Sequence, residues 1–81
     1  MQRLPIESSK NIHSAGYDPS SATLEVCFRD KKKEDGEGAV WQYAPFPEPK
    51  FREMLAAESV GSYFAQNVRN NPDVKGVRVD D

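Results

Sequence analysis

Residues 23–29 alternate without a break: Leu24, Val26 and Phe28 fall on one side of an extended chain, and Thr23, Glu25, Cys27 and Arg29 on the other. Side chains along a strand point to opposite faces in turn, so this stretch predicts a sheet with one apolar face to bury. Few folds are open to such a strand in a chain of only 81 residues. A chain this short has room for one core and buries roughly 60% of the surface its unfolded form exposes. Small domains often compensate with disulfides or a structural metal. Cys27 is the single cysteine, so it forms no internal disulfide, and with the single histidine, His13, it falls short of the four ligands of a structural zinc site. The apolar face must therefore be covered by the rest of the chain.

The flanking sequence supplies both partner strands and cover. Residues 11–17 predict a strand anchored on Ile12, and Asp18-Pro19-Ser20-Ser21 a turn, because proline presets φ while Asp and Ser bond back to the backbone. Residues 30–38 form a charged, glycine-containing hairpin loop, and residues 39–43 return as a third strand. Pro45, Pro47 and Pro49 end the sheet, since proline cannot donate to a ladder, and suit the first turn of a helix. Phe51, Met54 and Leu55 give that helix an apolar stripe. Ser59 caps a second helix, on which Val60, Phe64 and Val68 recur with Tyr63 beside them, and Asn70-Asn71-Pro72 stops it. The expected fold is α+β: a three-stranded antiparallel β-meander packed by two C-terminal helices, in the order β-β-β-α-α. Residues 1–7 are expected to be a flexible N-terminus, residues 8–70 the domain and residues 71–81 a polar C-terminal tail. In that tail Val74, Val77 and Val79 could add an edge strand.

Charge narrows the functional classes. Eleven basic and thirteen acidic residues leave a net charge of −2, without the basic excess that drives non-specific nucleic-acid binding. Any nucleic-acid contact is local. Trp41 and Tyr43 share a strand face and either stack unpaired bases or serve as core. Lys31, Lys32 and Lys33 beside Arg29 are the one dense basic run, offset by Asp30, Glu34, Asp35 and Glu37. Arg69 follows the Ser59-capped helix, whose N-terminus reads either as a simple cap or as an anion site. His13 and Cys27 fall on neighbouring strands, but no spacing marks a third group to orient them, and an inert buried thiol is the simpler reading. There is no glycine-rich phosphate loop and no His-Glu zinc helix. The chain is expected to be a non-enzymatic binding module with no catalytic residue, metal or cofactor. A free thiol, no apolar run of ~18 residues and no signal-peptide core point to a cytoplasmic monomer that does not engage membranes.

Read in order, Asn11-Ile12, Gly16-Tyr17-Asp18-Pro19, Thr23-Leu24-Glu25-Val26-x-Phe28, Trp41-x-Tyr43 and Ser59-x-Gly61-x-Tyr63-Phe64-x-x-Asn67-Val68-Arg69 resemble the KTSC domain. That family takes its name from the C-terminus of some lysyl-tRNA synthetases and also occurs as small bacterial and phage proteins. The resemblance implies a small sheet packed by helices and, through the synthetase association, RNA. This chain departs from the family where Trp41 replaces the first tyrosine of the central Tyr-x-Tyr, and in its longer, more charged loop at 30–38. The expected partner is RNA or another single-stranded nucleic acid, held by Trp41, Tyr43, Arg29, Lys31, Lys32, Lys33 and Arg69. The competing expectation is a protein partner, with the chain acting as an adaptor through a helix face or the valine-rich tail.

Overall fold

The computed structural model describes residues 2–80; Met1 and Asp81, assigned above to the flexible terminus and the polar tail, lie outside the described residues. The chain is α+β, with an antiparallel sheet and two helices, but the sheet has five strands rather than three. In chain order these are β1 (Leu4–Pro5), β2 (Ile12–Asp18), β3 (Thr23–Arg29), β4 (Glu37–Ala44) and β5 (Lys75–Arg78), each paired with its sequence neighbour. The three expected strands are β2, β3 and β4. Of the two further strands, both short edges, β5 is the one that the valines of the tail left open, and β1 falls in the segment expected to be a flexible terminus. Leu4 pairs with Ala15 and Pro5 with Ser14 on one side, while Lys75–Arg78 pairs with residues 41–44 on the other.

Two turns fix the register of the meander. Asp18 Oδ1 accepts from the Ser20 amide (3.0 Å) and hydroxyl (2.7 Å), and Ala22 closes the turn at φ +51°. At residues 30–36, Asp30 Oδ1 accepts from the Lys32 amide, the Asp30 amide donates to the Gly36 carbonyl, and Gly36 takes φ +74°. This loop is a set of ordered turns with Lys31, Lys32 and Lys33 exposed on it.

Helix α1 (Glu48–Ala56) opens with Pro49 in its first turn and buries Phe51 and Met54. Helix α2 (Val60–Phe64) is capped by Ser59, whose hydroxyl accepts from the Ser62 amide at 3.2 Å. It runs directly into a π-helical turn, Ala65–Arg69. Asn67 explains the widening: its side-chain amide donates to the Tyr63 carbonyl (3.0 Å), and the Asn70 amide reaches back five residues to the Ala65 carbonyl (3.0 Å).

The core lies between the helices and the face of β3 that carries Leu24 and Val26, both fully buried. Ile12, Met54 and Val68 complete it, with Phe46, the largest fully buried side chain, delivered by the proline-flanked segment after β4. Tyr17 stacks on Phe51 (5.3 Å), and Phe64 meets Phe28 and Tyr43 edge-on at 5.7 and 5.2 Å. The second face of β3 is covered as well. Arg3 lies across it, pairing with Glu25 at 2.7 Å, while Gln42 donates to the other Glu25 oxygen at 2.9 Å. Gly16 permits that crossing, because a Cβ there would run into the Gln2 carbonyl.

Candidate functional site

The groove at the open end of the core is where the expected binding residues are to be sought. It has a volume of about 860 Å³, within the ~300–1,000 Å³ range of small-ligand sites. The end of β3, the middle of β4, the π-helical turn, the residues before β2 and the start of β5 build it. Trp41, Tyr43, Arg29, Lys31 and Arg69 all line it. Lys32 and Lys33 do not; they project from the loop. Lys10, Phe28, Phe64, Val74 and Gly76 also line it. Lys10 carried no pattern in the sequence, and only the fold brings it to the same groove as Arg69.

The aromatic pair faces the helices, not an open sheet surface. Trp41 pairs with Val26 and Tyr43 with Leu24 across β3, so both rings stand on the core face. Their centroids are 6.3 Å apart and their planes differ by 17°, forming one near-parallel shelf. The two rings have different duties. Tyr43 packs against the core through Phe64 and covers Gly76, where a Cβ would come within 2.6 Å of the ring. Burial pushes its hydroxyl pKa up, with the Arg69 charge pulling the other way. Trp41 is half-buried and, among the described residues, is not one of those packed against the core.

The cations also divide. Arg29 is a structural clamp: Nε donates to the Ser9 carbonyl (2.7 Å) and an Nη to the Ile6 carbonyl (2.6 Å), holding the segment between β1 and β2. None of the ion pairs among the described residues engages Lys10, Lys31 or Arg69. Their charge is available to a ligand. Ser59 serves helix capping, and at Gly61 a Cβ would meet only Ser9 Oγ, at an ordinary contact distance of 3.5 Å.

The opposite face holds a second cluster. His13, Cys27 and Glu37 bring their donor atoms within 4.8 Å of one another. Cys27 is fully buried, and that burial pushes its thiol pKa up against the pull of Arg3. The Cys–His proximity is the one expected from neighbouring strands; the third group, Glu37, was legible only as part of a charged loop.

The comparisons with known proteins agree with this architecture. The family model of the KTSC domain matches residues 8–71. An uncharacterized protein of Stutzerimonas stutzeri (strain A1501) is 35% identical over 66 residues, covering 82% of each chain. A protein of Tsukamurella paurometabola is 39% identical over 59 residues, covering 73% of this chain and 76% of its own. The crystal structure of a KTSC domain protein from Yersinia pestis superposes with a TM-score of 0.78 at 31% identity, covering 96% of both chains.

Proposed function

This chain belongs to the KTSC domain family, and we propose that its aromatic groove binds single-stranded nucleic acid, RNA in particular. The observation that carries the reading is the grouping of the Trp41 ring with three cations that have no ion-pair partner among the described residues, Lys10, Lys31 and Arg69, in one groove. A base stacks on Trp41, which Tyr43 supports from the core side, and the cations meet the phosphates on either side of it. Base–aromatic stacking is worth roughly 1–3 kcal/mol per base and tolerates any sequence. Three phosphate contacts give a salt slope of about −2 for a single strand. The net charge of −2 opposes long-range attraction, so binding is weak and confined to the groove.

Trp41 is the sole tryptophan, so its emission reports on the site directly. Titration with oligouridylate and oligoadenylate at low salt should quench it, with the affinity falling as salt rises. Trp41→Phe should retain binding measured by ligand anisotropy, and Arg69→Gln should weaken it. Absence of quenching and anisotropy change with folded wild-type protein at low salt would remove nucleic acid as the ligand class.

A second reading rests on β5, whose four residues are all exposed and which carries Val77 at 61% exposure, with Val79 just beyond it at 41%. This free edge could accept a strand from a protein partner. Lysine at both valines should abolish capture of such a partner; unchanged capture would dismiss the edge.

A further inference from the structure

We propose that His13, Cys27 and Glu37 form a site for one divalent transition-metal ion of the zinc type, on the sheet face opposite the groove. The donor atoms come from three separated stretches: His13 from the irregular start of β2, Cys27 from the second half of β3, and Glu37 from the first residue of β4. They lie within 4.8 Å of one another. Ligands around a tetrahedral zinc ion, at bond lengths of roughly 2.0–2.3 Å, stand about 3.3–3.8 Å apart. A movement of about 1 Å by side chains therefore closes the set, and His13 and Glu37 are half-buried with room to make it.

The donor chemistry selects the ion. A thiolate, an imidazole and a carboxylate suit zinc or cobalt and not magnesium or calcium, which prefer oxygen alone. Charge agrees. The thiolate and carboxylate together neutralise a dication, while the neighbouring Arg3 and Glu25 neutralise each other at 2.7 Å. Arg3 also touches Glu37, at a longer 3.4 Å, and that contact is the one the metal displaces. Ser14 provides support of the kind metal ligands need: its hydroxyl lies 3.2 Å from His13 Nδ1 and accepts from Arg3 Nε at 3.2 Å. Three protein ligands leave a fourth position. A small pocket of about 310 Å³, lined by Arg3, Pro5, His13, Ser14 and Glu37, opens on it and admits water or a small anion.

The test is titration of the full chain with Co²⁺ under reducing conditions. One equivalent should produce a near-ultraviolet thiolate-to-cobalt charge-transfer band with the intense visible bands of a four-coordinate ion. Zn²⁺ should displace it and Mg²⁺ should not. Zn²⁺ should also raise the melting temperature, as any ligand of the native state does. Cys27→Ser should abolish the charge-transfer band, and His13→Ala and Glu37→Gln should each weaken binding roughly tenfold or more. His13 is half-buried, so its variant remains informative if Cys27→Ser fails to fold. Absence of the charge-transfer band in the wild type would overturn the site. So would a band that persists with unchanged affinity in both His13→Ala and Glu37→Gln.

Discussion

Arg29 was expected among nucleic-acid ligands, and the structure gives it another duty whose loss can be priced. Its guanidinium donates to the carbonyls of Ser9 (2.7 Å) and Ile6 (2.6 Å), tying the segment before β2 to the end of β3. Arg29→Met keeps the aliphatic stem and removes both donors. Hydrogen bonds to a charged group are worth roughly 1.5–3 kcal/mol when the partner stays buried. Ile6 and Ser9 are both buried, but Arg29 itself is half-exposed, so water partly replaces the lost donors. The pair should cost about 2–3 kcal/mol in total, a large share of the stability of a domain this size. With a urea m-value of about 1 kcal/mol/M, the denaturation midpoint should fall by roughly 2–3 M.

Hydrogen exchange locates the effect. The Ile6 amide, which donates to the His13 carbonyl at 2.9 Å, should lose protection before the amides of β3. Arg29→Lys should recover part of the stability, since an ammonium reaches one carbonyl and not the fork. A midpoint shift below about 0.5 M, or unchanged protection at Ile6, would refute the clamp and return Arg29 to the groove as a free cation.

Three further perturbations follow from the same geometry. Burial raises the Glu25 pKa, but hydrogen bonds from Gln42 and Arg3 outweigh it and leave the carboxyl below its ordinary range. A depressed folded-state pKa stabilises above the unfolded value of about 4.3 and is lost as pH falls through the folded value. Urea unfolding of wild type and Glu25→Gln should therefore differ most near pH 7 and draw together as pH falls below about 4.3; a constant gap would contradict the ion pair. Gly76→Ala places a Cβ 2.6 Å from Tyr43, which Phe64 holds in place, and should cost about 1–3 kcal/mol with a changed near-ultraviolet dichroism; no loss would mean the ring swings free. Ala22→Gly relieves a left-handed residue at φ +51°, a gain of about 1–2 kcal/mol less the ~0.5–1 kcal/mol of added chain entropy, so the melting temperature should rise by a few degrees and a fall would refute it.

What could be read from the chain, and what could not, divides by range. The alternation at 23–29, the Ser59 cap and the Val60–Phe64–Val68 stripe are local signals, and each produced the element it predicts. β1 was invisible because two residues ending in proline carry no period, and Phe46 because a lone apolar residue between prolines has none either. Alternation also identifies two strand faces without saying what covers the second; Arg3 does so from far along the chain, and no periodicity registers that. The same limit governs the candidate site. Counting charge along the chain singles out Lys31, Lys32 and Lys33, yet only Lys31 reaches the groove. Besides the clamped Arg29, the groove's cations are Lys10, Lys31 and Arg69, one from each of three separate stretches, gathered where the residues before β2, the 30–36 loop and the π-helical turn meet. A run of three lysines on an exposed loop is hydrated and partly neutralised by its neighbours, so its density is a poor measure of binding. The groove instead brings Lys10, Lys31 and Arg69, all three exposed, to one lining with the half-buried Trp41, a juxtaposition that only the fold creates.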